Sequence, residues 1–290
     1  MKQENYMKGM VMIILSAFFF ACMNVSVRLA GEIPSFQKSF FRNLVAVVFA
    51  AVILLKDHEV PKVKKQYWGP LFLRCAFGTI GILCNFYAID HLLVADASIL
   101  NKLSPFFAII FSYFILKEKI NPIQVTVVLL AFAGCLFVVK PGFQNATFLP
   151  ALIGVCGGLG AGIAYTMVRV LGTQGVRGPV IVFYFSLFSC LAILPFVVFH
   201  YTPMSAGQLG SLLMAGLFAA GGQFTITAAY TYAPAGKISI FDYSQILFAT
   251  LLGFFLFGEI PDKYSFMGYG MIILASLGMF IYNMRAAKKA

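Results

Sequence analysis

The sequence predicts an all-α integral membrane protein with ten transmembrane helices, arranged as two inverted five-helix repeats around a central cavity. Three observations predict it. Of 290 residues, 61% are hydrophobic and 11% charged, whereas a soluble domain carries about 25% charged residues. Apolar runs of the ~20 residues that cross a ~30 Å hydrocarbon core recur along the whole chain, with short polar breaks between them. A shift of 141 positions brings residues of the second half onto matching residues of the first.

In order, the predicted spans are 9–29, 36–55, 67–89, 94–116, 122–139, 148–171, 179–199, 208–230, 236–257 and 264–282. The first follows Lys2 and Lys8 and contains a stretch, FFAC (19–22), that faintly resembles a lipoprotein cleavage site. Two Phe residues before Ala21 argue against cleavage, which wants small side chains, so span 1 is expected to stay in the protein. The linkers are too short for an appended ATPase, receptor or enzyme module, and no GxxxxGK[ST] stretch occurs. The six cysteines fall inside predicted spans without a CxxC pair, and His58, His91 and His200 sit near span ends without ligand spacing. The expectation is therefore no metal and no cofactor.

The net charge of +11 is distributed as a membrane protein distributes it, and no nucleic-acid partner is expected. Lys56, Lys62, Lys64 and Lys65 lie in one loop, Lys117 and Lys119 in another, and Arg285, Lys288 and Lys289 at the C-terminus. An even number of spans puts these sites and the N-terminus on one side. That side then holds fourteen Lys and Arg residues against five on the other, so the positive-inside rule makes both termini cytoplasmic.

The constant shift runs from Arg28, which meets Arg169, through Gly81 and Gly222 to Glu118 and Glu259; beyond it the second half is three residues longer. The predicted units are residues 1–145 and 146–290. Five spans is an odd number, so the second unit enters the membrane from the opposite face. Two homologous, oppositely oriented units are what alternating access uses, with the substrate near the midplane between them. Gly154, Gly158 and Gly162 recur every fourth residue on span 6, a spacing that lets helix backbones approach closely.

The stretches FFRNLVA (40–46), LRCAFGTIG (73–81), NFYAI (85–89), VADASILNKLSPFFAIIFSYFILKEKI (94–120) and AGCLFVVKPG (133–142), echoed by GKISIFDYSQILFATLLGFFLFGEI (236–260), resemble the drug/metabolite transporter superfamily, ten-helix type with two EamA-type domains. The resemblance covers essentially the whole chain. It implies secondary-active movement of a small organic metabolite across a bacterial cytoplasmic membrane, and a cavity lined mainly by spans 1, 3, 4, 6, 8 and 9. Members export amino acids and drugs or take up cofactors such as S-adenosylmethionine. Ile246 stands where the first half has Pro105, a departure from the family pattern that leaves a matching kink in span 9 without a sequence basis.

Charges within spans are costly and usually face the bundle interior. Lys102 lies outward of the middle of span 4, and Asp242, the repeat partner of Asn101, lies inward of the middle of span 9. Their backbones differ in depth by roughly 9 Å, a gap a lysine partly bridges. Two readings stay open at this point. In one, Lys102 meets a substrate carboxylate while Asp242 meets an amine or carries a coupling proton; in the other they form a fixed ion pair, or each finds a polar partner nearby. Asn24, Asn85, Tyr87, Asn101, Tyr165, Gln223 and Gln245 extend the candidate substrate site, each equally readable as an interhelical hydrogen bond. Arg42 and Arg74, six or seven residues from span ends, are gate or rim candidates that can also snorkel to headgroups. Glu118 and Glu259 read as surface charges.

The expected function is a secondary-active transporter of a small polar or zwitterionic metabolite, an exporter or exchanger of amino-acid-like compounds. The alternative is an uptake permease for a nucleoside-type cofactor such as S-adenosylmethionine. A channel-like conduit is disfavoured, as is an intramembrane enzyme, since no HExxH or GxSxG stretch occurs. Expected partners are the substrate and membrane lipids, in a monomer.

Overall fold

A computed structural model describes residues 3–57, 63–91, 100–118, 121–139, 148–258 and 263–289. The boundary between residues 145 and 146, His58, residues 94–99 of the fourth predicted span, and Glu259 lie outside the described residues. The described part is mostly helical, with short connections: α1 (Gln3–Leu29), α2 (Ser35–Lys56), α3 (Trp68–His91), α4 (Ser104–Leu116), α5 (Pro122–Val139), α6 (Phe148–Thr173), α7 (Gly178–Phe199), α8 (Ala206–Tyr232), α9 (Ser244–Phe257) and α10 (Lys263–Lys289). Seven stretches among the described residues are long and apolar enough to cross a membrane; Ser104–Leu116, Pro122–Gly134 and Phe266–Tyr282 are shorter apolar helices.

Large apolar side chains cover the outside, and several charged and polar residues are buried inside together with an apolar core. Phe199 is 80% exposed and Phe255 76%, while Arg42, Arg74, Lys102, Gln223 and Asp242 are all buried. Such a surface suits hydrocarbon, where helices satisfy their own backbone groups.

Helix pairing follows the repeat. Under the 141-residue shift α1 corresponds to α6, α3 to α8, α4 to α9 and α5 to α10. The most extensive contacts are α1 with α8 and its image α6 with α3, then α5 with α10 and α2 with α7; α4 with α6 is matched by α9 with α1. Every one of these pairs joins one half to the other, and exchanging the halves maps the set onto itself. The halves have no separate cores.

Glycines set the close approaches. A Cβ on Gly158 would stand 2.6 Å from the Leu100 carbonyl oxygen and one on Gly154 2.7 Å from the Leu100 side chain, so α6 lies directly against the segment that carries Lys102. On another face of α6, a Gly160 Cβ would come within 2.8 Å of the Phe77 carbonyl of α3. Across the repeat, the Ser16 hydroxyl of α1 donates to the Gly222 carbonyl of α8 at 3.1 Å. α4 and α9 terminate alike, on left-handed residues at repeat-equivalent positions, Lys117 (φ 53°) and Gly258 (φ 68°).

Both repeats place a turn just before the described helix of their fourth span. In the first half Lys102 and Leu103 form a turn before Pro105 opens α4. The second half has no proline there, yet a short helical turn, Ala235–Ile238, passes into a 3₁₀ segment, Ser239–Tyr243, before α9. Proline therefore does not account for this break. Its polar bonds, described next, and the Ser244 hydroxyl donating to the Phe241 carbonyl at 2.7 Å hold it instead.

Candidate functional site

The two turns face each other. Lys102 Nζ donates to Asp242 Oδ2 at 2.9 Å, to the Asp242 carbonyl at 3.2 Å and to Gln245 Oε1 at 2.7 Å. All three ammonium hydrogens are thus placed. The side chains are only 4% and 6% exposed, so the expected depth gap is closed by a direct ion pair between the halves. Tyr243, the repeat equivalent of Lys102, donates its hydroxyl to the Lys102 carbonyl at 3.0 Å. The local ladder bypasses that carbonyl, because the Phe106 amide bonds Leu103 instead. A Tyr243→Phe change should leave it unsatisfied and cost about 1–3 kcal/mol, read as a lower melting temperature of the purified protein.

Around this pair lies a cavity with about 100 Å³ of room for small molecules. Of the residues singled out in the sequence, Asn24, Arg42, Arg74, Asn85, Asn101, Lys102, Tyr165, Gln223, Asp242 and Gln245 line it. Tyr87 does not. Its ring stacks on His91 at 4.0 Å between centroids, near the end of α3. The amides of Asn24, Asn85 and Asn101 are half-buried, and the Tyr165 ring stacks on Tyr230 at 5.1 Å.

Arg42 and Arg74 are not at a headgroup surface: they are 3% and 2% exposed. Arg74 lies over the Phe185 ring, 3.9 Å from its centroid, and donates to Gln223 Oε1 at 2.8 Å. Gly78 makes this possible, since a Cβ there would strike the guanidinium and stand 2.7 Å from the Phe185 ring. Arg42 has weaker partners, Met23 Sδ at 3.1 Å and Asn43 Oδ1 at 3.4 Å. Two buried polar atoms in the cavity wall, Arg74 Nε and Asp242 Oδ1, have no hydrogen-bond partner among the described residues. The wall also draws on α2 and α7, through Arg42 and Phe185, beyond the six spans expected.

Glu118 is not a plain surface charge. It receives Arg169 Nε at 3.1 Å, with side chains 23% and 13% exposed, and Arg169 also donates to the Thr231 carbonyl at 2.9 Å. The last turns of α4, α6 and α8 are thereby tied together at one end of the molecule. A cation over the final carbonyls of α8 suits the helix dipole. Its repeat counterpart would involve Arg28 and Glu259, the latter outside the described residues.

Comparison with known proteins decides the family. The EamA-like transporter family matches residues 7–140 and 149–281. The chain belongs to the EamA-like transporter family. Its members are transporters rather than enzymes. This EamA-like chain is similar to the pseudopaline exporter CntI of Pseudomonas aeruginosa, 29% identical over 93% of this chain and 95% of that one. It is also similar to solute carrier family 35 member G1 of Mus musculus, 25% identical over 94% of this chain and 78% of that one. A solved crystal structure with 12% identity superposes with a TM-score of 0.83 over 94% of this chain and 98% of the other, which shows the shared fold. The EamA-like chain is thus a multi-pass membrane transporter.

Proposed function

We propose that this EamA-like protein moves a small polar or zwitterionic organic metabolite across the bacterial cytoplasmic membrane by secondary-active alternating access, as an exporter or exchanger. One observation carries the reading. The cavity is walled by both halves, and exchanging the halves preserves the helix pairing. Two conformations of such a pair are related by that exchange, provided the ten helices all cross and the halves are inverted. Similarity to an exporter favours outward movement. Both halves belong to one chain, so no second copy is needed and a monomer suffices; the charge distribution supports cytoplasmic termini.

Asp242 is assigned the coupling proton: its Oδ1 has no partner among the described residues while Oδ2 holds Lys102, and proton and substrate occupy Oδ1 in turn. Glu118 and Arg169 are assigned closure of the cytoplasmic end. A Glu118→Gln change should loosen that end, and a cysteine introduced at the buried Ser112 should then react several-fold faster with a thiol reagent added from the cytoplasmic side.

Counterflow in proteoliposomes tests the transporter reading. Vesicles preloaded with unlabelled substrate should accumulate labelled substrate transiently, with saturable initial rates. Flux that neither saturates nor responds to preloading would mark a conduit.

A further inference from the structure

The charges in the cavity do not balance. It holds Arg42, Arg74, Lys102 and Asp242, and Lys102 and Asp242 are paired with each other. That leaves two buried guanidinium groups with no carboxylate against them among the described residues. Each guanidinium offers five N–H donors. Arg42 commits two, to a thioether sulfur and to a 3.4 Å amide oxygen; Arg74 commits one, to Gln223, and its buried Nε has no partner. Uncompensated charge at this depth is expensive, so a ligand that supplies the missing negative charge gains what the empty site lacks.

The arrangement also says how that charge is distributed. If α2 and α3 cross the membrane in succession they run in opposite directions. Arg42 is in the second turn of α2 and Arg74 in the second turn of α3, so they approach from opposite ends, with backbones roughly 13 Å apart in depth. Both guanidiniums nonetheless line one cavity, each with donors to spare, so two acidic groups on one molecule satisfy both. Asp242 lines the same cavity, and its Oδ1 has no partner among the described residues, which makes it an acceptor for an ammonium group. Lys102 is spent on Asp242 and Gln245, so the carboxylate-binding role passes from it to the arginines.

Resting on the transporter reading above, we infer that the substrate is an aminodicarboxylate, with its two acidic groups on Arg42 and Arg74 and its ammonium on Asp242. Calorimetric titration of the purified full-length protein tests this with L-glutamate and L-2-aminoadipate, each against an analogue lacking one group: L-glutamine lacks one acid and glutarate lacks the amine. At least one of the two aminodicarboxylates should bind, and loss of either group should weaken binding at least tenfold. Arg42→Gln and Arg74→Gln should each erase the preference for glutamate over glutamine, whereas Arg74→Lys, which keeps the charge, should retain part of it. Each variant is accepted only if its melting transition shows a folded protein. Equal binding of glutamate and glutamine, tighter binding of inorganic phosphate than of either aminodicarboxylate, or no aminodicarboxylate binding while other solutes show counterflow would overturn the assignment and leave the transporter reading intact. Glutamate binding with the expected selectivity but without counterflow would keep the site and remove the transporter reading.

Discussion

Replacing Asp242 by Asn should abolish uphill transport and also lower stability. The first effect follows from the role assigned to the carboxylate. The second follows from its partner, for Lys102 sits 2.9 Å away and is itself buried. Removing one member of a buried ion pair leaves an uncompensated charge and typically costs about 3–5 kcal/mol. The double change Lys102→Met with Asp242→Asn should recover most of that loss, since no charge is then stranded, while transport stays absent. Comparing melting temperatures of the single and double variants separates the two effects. Unchanged uphill transport in Asp242→Asn would remove the carboxylate from the coupling step. A single variant as stable as the parent would mean that the Lys102 ammonium finds another partner in place of the carboxylate.

Replacing Gly158 by Leu should prevent folding or lower the melting temperature by many degrees. A Cβ at this position meets the Leu100 carbonyl oxygen at 2.6 Å, and backbone cannot rotate aside as a side chain can. Overpacking usually costs about 1–3 kcal/mol, and a clash with backbone belongs at or above the top of that range. Gly69 offers the control, because nothing lies within 4 Å of the position a Cβ would take. Gly69→Leu should express and melt like the parent, as read by size-exclusion chromatography and thermal unfolding. If Gly158→Leu behaves the same way, α6 does not fix the segment that positions Lys102.

Much of the frame was legible in the sequence because it follows from burial in hydrocarbon. Apolar run length marks the helices, and the 141-residue shift marks the two halves that the family comparison finds at 7–140 and 149–281. Lys102 and Asp242 stood out as charges inside apolar runs, although whether they met each other depended on side-chain reach, which run length does not encode. Tyr243 could have been found, since the same shift carries Lys102 onto it.

Other features had no local signal. Arg42 and Arg74 lie at positions from which a long side chain can reach either headgroups or the interior, and only packing decides. Phe185 is one of 32 phenylalanines, and nothing in its neighbourhood marks it as the ring beneath Arg74. Glu118 and Arg169 are 51 positions apart on helices whose neighbourhood depends on how the halves interlock. The break before α9 lacks the proline that marks its counterpart; polar contacts with the other half accompany it instead. Tyr87 belongs to a motif that suggested the cavity, but its ring turns to His91.

The central claim is that the cavity around Lys102 and Asp242 is where substrate binds. A thermal-shift screen of the detergent-purified protein against amino acids, aminodicarboxylates, nucleoside cofactors, polyamines and quaternary amines tests it most directly, run in parallel on Asp242→Asn and Lys102→Met. A ligand of the folded state raises stability by about 2.7 kcal/mol at a hundredfold excess over its dissociation constant, so a true substrate gives a clear shift. The account predicts a hit that is lost in Asp242→Asn, whose carboxylate the substrate meets, and weakened in Lys102→Met, which removes the partner that positions that carboxylate. A hit that both variants keep would return the pair to a purely structural role and move the site elsewhere.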